Sequence, residues 1–314
     1  MILILSTPKD IHARHIANLL AAGGHAVRHL DSAALGGGYA GGPARLSHPI
    51  GWGTPVWTLP DGEQVELSQV RTVWMRRPRP PALPDFGNDV ETARFCRREW
   101  AETLDGVMLG LGARFVNAPQ ADAASVKPRQ LAEALRCGLT IPETLVTSDP
   151  DAAAAFVHRH NGDVIHKAMS SPANRLLETR VWRPDDAAHL YRLPFAPAMF
   201  QRRVHGPADL RITCVGQKLF TARIATESGR SEVDSRLDHD VAVDATSLPD
   251  GLAARLLEFM AAMGLVYGTI DLKIDTSGAA VFLEVNPQGQ FLYIEIQTGL
   301  PISIAMAELL AEQE

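Results

Sequence analysis

Cysteine is scarce in this chain of 314 residues: Cys96, Cys137 and Cys214 are all it has. An odd and scattered set argues against a disulfide framework and fits a reducing compartment. No apolar run approaches the length needed to cross a bilayer. The opening "MILILSTPKD" lacks the basic start and long apolar stretch of a secretory signal, so it reads as a first strand. Positive charge is not in excess either. The net charge of −6 gives no general attraction to nucleic acid or to an anionic membrane, and "WMRRPRPP" is one short basic patch. There is no internal repeat. A glycine-rich turn after the first strand is also missing, since "STPKD" offers no phosphate cradle of the dinucleotide-binding kind. These absences leave a cytoplasmic globular protein with neither nucleic acid nor membrane as partner.

What is present is an ordinary globular composition, 46% hydrophobic and 21% charged, in a chain long enough for two or three packed lobes. "MILIL", "DIHARHIANLLAAGG" and "HAVRHLD" predict a β-α-β opening whose helix ends at Gly23 and Gly24. Short strands around "TPVWTLPDG" and "VRTVWMRRP" precede a long helix, "DVETARFCRREWAETLDGVMLGLG", that closes a first lobe near residue 115. A helix carrying Lys127 near its start stops at Gly138, and strand, helix and strand follow up to Lys167. From "AMFQRRV" onward strands dominate, interrupted by a helix at "LPDGLAARLLEFMAAMG". Two further strands and a last helix from Pro301 end the chain.

The stretch "AAVFLEVNPQGQ" places a carboxylate and an amide two residues apart at the end of an apolar strand. Alternation points Glu284 and Asn286 the same way, with Phe282 in phase behind them. The plainer reading is a strand end entering a turn marked by Pro287 and Gly289. Upstream, "YGTIDLKID" carries Asp271, and a hairpin at "TSG" brings Asp271 against Glu284. Aspartate, glutamate and asparagine are all hard oxygen donors, the kind magnesium takes when it also keeps phosphate oxygens and water. A structural reading would have Asp271 salt-bridged and Glu284 capping a turn. Lys127 and Lys167 sit at element boundaries, where they could supply cations for phosphates. "ADLRITCVG" sets Asp209 and Arg211 on one strand face, either as an ion pair or as a carboxylate grip.

Taken in order, "VWMRRP", "KPRQLAEALRCGLTIPETLVTSDP", "VIHKAM", "FQRRV", "DLRITCVG", "YGTIDLK" and "FLEVNPQGQFLYIEIQTGLPI" resemble the ATP-grasp ribosomal peptide maturases, the graspetide or microviridin-type synthetases. The resemblance covers nearly the whole chain. It implies an α/β ATP-grasp fold with an N-terminal pre-ATP-grasp α/β domain (1–115), a central lobe (116–200) and a C-terminal lobe carrying the metal site (201–314). It also implies a ligase that activates Asp or Glu side chains of a precursor peptide as acyl phosphates. A Ser, Thr or Lys side chain then closes an ω-ester or ω-amide ring. An ATP-grasp ligase of free amino acids or of a protein tail is the alternative. The implied cofactors are ATP and Mg2+, the implied partners a precursor peptide with leader and core and a second copy in a homodimer.

By the same resemblance Lys127 and Lys167 contact phosphates, and Gln201, Arg202 and Val204 form the hinge whose backbone reads adenine. Asp271, Glu284 and Asn286 hold the metal. Asp209 and Arg211 engage the acceptor carboxylate, and Arg223 lies near the reacting phosphate. The chain departs from its relatives twice: Arg202 stands where a hinge Glu is common, and Ser235 replaces the aromatic residue between Asp234 and Arg236. The segment "MSSPANRLLETRVW" after Lys167 is expected to form a flap, mobile near Ser170 to Arg175.

Overall fold

The computed structural model describes residues 1–170, 179–225 and 242–312. Of the expected flap from Ser170 to Arg175, residues 171–175 lie outside the described residues, as do Asp234, Ser235 and Arg236. Contacts group the chain into two compact units, 1–120 with 301–314, and 121–300.

The first unit opens with β1 (Ile2–Leu5), α1 (Ile11–Ala22) and β2 (Val27–Leu30). It continues through β3 (Arg45–Ser47), β4 (Val56–Thr58), β5 (Gln64–Glu66), β6 (Thr72–Trp74), α2 (Val90–Leu109) and β7 (Arg114–Val116). Strands β2-β1-β6-β7 form one parallel sheet, and β3-β4-β5 a separate antiparallel one. The four residues of β1 are all buried, as expected of a parallel strand covered on both faces. Asp10 starts α1 by accepting from the backbone N–H of His12 and Ala13. Arg76 is fully buried, with its Nε 3.4 Å from Asp10 Oδ2 and its guanidinium over the Trp74 ring. The "RRPR" patch is therefore partly interior, where Arg76 neutralises a helix cap.

The boundary falls within α3 (Pro119–Ala123), and the second unit goes on with α4 (Lys127–Arg136), β8 (Thr144–Thr147), α5 (Pro150–Arg159), β9 (Val164–Lys167), β10 (Arg180–Val181) and β11 (Ala198–Arg202). It goes on through β12 (Ala208–Val215), β13 (Lys218–Ala225), β14 (Val243–Ala245), α6 (Leu252–Met263), β15 (Tyr267–Ile274), β16 (Ala280–Asn286) and α7 (Leu292–Thr298). The smaller sheet has the order β10-β9-β11-β8, the larger β14-β13-β12-β15-β16. Leu131 and Ala134 of α4 and Phe259 and Met260 of α6 pack on one face of the larger sheet, against Leu210, Ile212, Ile270 and Leu272. That leaves Asp209, Arg211, Thr213, Asp271 and Lys273 on the other face of β12 and β15. The chain ends with α8 (Ile302–Ala311), which packs on α1 and β6 of the first unit.

Phe282 does not stand in phase with Glu284. The register pairs Asp271 with Glu284 but Leu272 with Phe282, so Leu283 is an extra residue in β16. Phe282 and Val285, three residues apart, consequently both enter the core under α6. A regular strand cannot do that; a β-bulge can, and it re-aims Glu284 to the polar face. The helix α7 is likewise an addition to the expected strands and last helix.

Candidate active site

Three neighbouring strands build the polar face. Arg211 on β12 is the register partner of Asp271 on β15, which is the register partner of Glu284 on β16; Asn286 follows opposite Thr269. Arg211 Nη1 donates to both Asp271 oxygens, at 2.8 and 3.0 Å, and Nη2 donates to the Gln290 carbonyl at 3.2 Å. Its guanidinium carbon lies 5.8 Å from the Tyr293 ring centroid. Burial pulls the Arg211 pKa down, but the Asp271 carboxylate, with Tyr293 and Tyr267, outweighs it and holds the group above its ordinary value. Arg211 thus stays a cation in a site where only 8% of it is exposed.

The ion pair between Asp209 and Arg211, one of the two readings of "DLR", does not form. Asp209 instead lies 3.0 Å from Lys273 Nζ, its own register partner. Opposite charges pair across β12 and β15, not along β12. Glu284 Oε2 accepts from Lys127 Nζ at 2.5 Å, so the helix α4 delivers its first residue to the end of β16.

The donor set fits magnesium chemically. Asp271 and Glu284 are hard carboxylate donors, each held beside a cation, and a carboxylate has about four acceptor sites. Asn286 Oδ1 accepts from the Gln288 amide at 2.9 Å, which fixes the oxygen of a neutral third donor and leaves it a lone pair. Among the described residues there is no group of three His, Cys, Asp or Glu that could hold a metal, so the amide is what completes this set. The plainer reading of the strand end is what the structure shows: Asn286 enters a turn closed by Gly289 N–H donating to its carbonyl. That turn needs glycine, because a Cβ on Gly289 would lie 1.9 Å from Thr269 Oγ1.

Lys167 ends β9 as register partner of Met199. Gln201 is buried and its amide donates to Thr144 Oγ1 at 2.9 Å, so its side chain is committed to the fold. Arg202 is exposed, and its backbone N–H donates to the Glu143 carbonyl. With Val204, Ile141 and Thr276 it lines a cavity of about 400 Å³. Arg223 is not brought into the group. It pairs in register with Leu210 and Asp244, hence on the face opposite Arg211.

Gln130, Asp122 and Gln288 escaped the sequence reading although they touch this strand end. Gln130 sits one helical turn after Lys127, among core-facing positions of α4; an amide there was a signal to follow.

No family model matches the chain, and no curated protein does. Solved structures do. The macrocyclase MdnC from Microcystis aeruginosa MRC, bound with its precursor peptide MdnA, is 27% identical with a TM-score of 0.88, over 99% of each chain. The macrocyclase MdnB from the same organism is 28% identical, with a TM-score of 0.84 and 99% of each chain covered. A RiPP-associated ATP-grasp ligase from Chryseobacterium gregarium, in complex with ADP and a leader and core peptide, is 24% identical. Its TM-score is 0.84, over 98% of this chain and 96% of that one. A RimK-domain ATP-grasp protein from Sphaerobacter thermophilus covers as much, but at 14% identity and a TM-score of 0.63. Over its whole length this chain therefore has the ATP-grasp fold, in the form shared with the peptide macrocyclases.

Proposed function

We propose that this protein is an ATP-dependent, ADP-forming ligase that crosslinks Asp or Glu side chains of a ribosomal precursor peptide to hydroxyl or amine side chains of the same peptide. The observation that carries this reading is the row Arg211, Asp271, Glu284, Lys127, in which two adjacent carboxylates lie between two cations on one polar face beside Asn286.

A carboxylate becomes an electrophile only when one oxygen is converted to a phosphate leaving group. The protein must then hold two anions, the γ-phosphate and the acceptor carboxylate, in line and close together. Asp271, Glu284 and Asn286 would hold magnesium, which would supply positive charge to offset what develops on phosphoryl transfer. Lys127, released from Glu284, and Lys167 add point charges toward the phosphates. The backbone of Gln201, Arg202 and Val204 orients the adenine. Arg211, anchored by Asp271 and fixed under Tyr293, presents a preorganised guanidinium to the acceptor carboxylate. Asp209 keeps Lys273 neutralised beside it. The three expected lobes, 1–115, 116–200 and 201–314, belong to this reading, as do a homodimeric state and a cytoplasmic location. No helix among the described residues is long and apolar enough to cross a membrane, and the three cysteines are free.

The test is mass spectrometry of the encoded precursor peptide after incubation with the protein, ATP and Mg2+. Loss of one water per ring with matching ADP release is expected. Transfer of free glutamate to a protein tail, with an untouched precursor, would instead place the chain with the amino-acid ligases. Light scattering checks the dimer.

A further inference from the structure

β16 is the edge strand of its sheet, so among the described residues no strand lies beside the outward N–H and C=O groups of its last residues. One side chain takes that place. The Val285 N–H donates to Gln130 Oε1 at 2.9 Å, and Gln130 Nε2 donates to the Val285 carbonyl at 2.9 Å. The amide of Gln130 thus imitates a neighbouring strand for the residue between Glu284 and Asn286. It is itself fixed, since its Nε2 also faces the Ser125 carbonyl at 2.9 Å and Ser125 Oγ at 3.2 Å, and only 3% of the residue is exposed.

The far side of Asn286 is tied back to the same stretch. Gln288 donates through its backbone to Asn286 Oδ1 and through Nε2 to Asp122 Oδ2, the latter at 3.1 Å. Residues 122–130 therefore hold β16 between its two donors and again in the turn just beyond them, and they also carry Lys127. Leu131 and Ala134 cover this edge with apolar contact, and the Gln130 amide satisfies the buried Val285 N–H and C=O, which such contact cannot. The added amide contacts fix the height of β16 relative to the lysine helix. Magnesium needs such control, because it demands near-ideal octahedral geometry at about 2.1 Å.

We propose that Gln130 is a positioning residue that holds Glu284 and Asn286 in register with Lys127, and that Asp122 secures the other end of the same device. This rests on the functional reading above. The experiment titrates wild type, Gln130→Met and Asp122→Ala with ADP, with and without Mg2+, and measures crosslinking kcat and KM alongside. Gln130→Met keeps the volume and deletes both contacts to Val285. It should melt cooperatively and bind ADP without magnesium within about threefold of wild type. The tightening that Mg2+ confers should shrink about tenfold or more, and kcat should fall in parallel while the peptide KM holds. Asp122→Ala should lose about threefold of the same tightening. A role confined to stability would lower the melting temperature and leave the magnesium effect intact. A folded Gln130→Met with wild-type magnesium dependence overturns the proposal. If that variant does not fold, Asp122→Ala decides, since α3 contributes no buried side chain; an unchanged magnesium effect there overturns it equally. Wild-type protein that binds no ADP with magnesium sinks the functional reading and this proposal together, whereas equal binding by wild type and variant sinks the proposal alone.

Discussion

Arg211 reaches Asp271 with one terminal nitrogen and Gln290 with the other, and this division of labour sets what a substitution there will do. Arg211→Lys keeps a charge for Asp271 but cannot also reach the Gln290 carbonyl or present a flat fork to a carboxylate. Crosslinking is expected to fall about thirtyfold or more, while ADP affinity stays within a few-fold; mass spectrometry and nucleotide titration read the two. Asp209→Asn should act differently, since it frees Lys273 and leaves Arg211 paired. Equal defects in the two variants would show that the face works only as a scaffold. Glu284→Gln tests the metal donors. The Lys127–Glu284 pair is about a quarter exposed on both sides, so its loss should cost no more than about 1 kcal/mol of stability. ATP-dependent turnover should nevertheless disappear, and full turnover in this variant would reject Glu284 as a donor.

Elements impose their own constraints on the site. The hairpin of β15 and β16 was legible, because "DTSG" between two apolar runs fixes an antiparallel pair, and Asp275 does accept from Ser277 and Ala279 in the turn. The bulge at Leu283 was not, since nothing in composition distinguishes an extra residue in a strand from the residues around it. The partners of Asp209 and Arg211 lay about sixty residues away on β15, beyond any pattern local to "DLR". The helix α7 covers seven residues, too few to show a helical period. In the first unit the α1 cap predicts an acid effect. Burial alone would push the Asp10 carboxyl up; the His12 hydrogen bond, the Arg76 charge and the Ala13 amide outweigh it and hold it well below its ordinary 3.8. A folded pKa below the unfolded one contributes stability above pH 3.8 that is lost as pH falls toward the folded value. Asp10→Asn should therefore be about 3 kcal/mol less stable than wild type at pH 7, with the gap closing progressively below about pH 4. Urea denaturation at several pH values checks this, and a gap that stays constant would refute it.

At the scale of the molecule, α8 follows β16 and α7 in sequence yet packs with α1 and β6. Met306 and Leu310 are fully buried there. Met306→Ala should cost about 2–5 kcal/mol, and the loss should fall on the first unit. Tryptophan fluorescence separates the units, because Trp52, Trp57, Trp74 and Trp100 lie in the first and only Trp182 in the second. The fluorescence transition should move to lower denaturant while the circular-dichroism transition of the second unit stays. Coincident shifts would mean that the two melt as one.

The same helix has a consequence for how the protein is made. Residues 121–300 form an uninterrupted unit, whereas the first unit is assembled from both sides of them. During synthesis the domain begun first cannot be finished until 301–312 leave the ribosome, so the later-made segment is free to fold before the earlier one closes. For that interval the nascent chain exposes the surface of α1 and β6 that α8 will cover, and a chaperone that shields apolar surface has its natural target there.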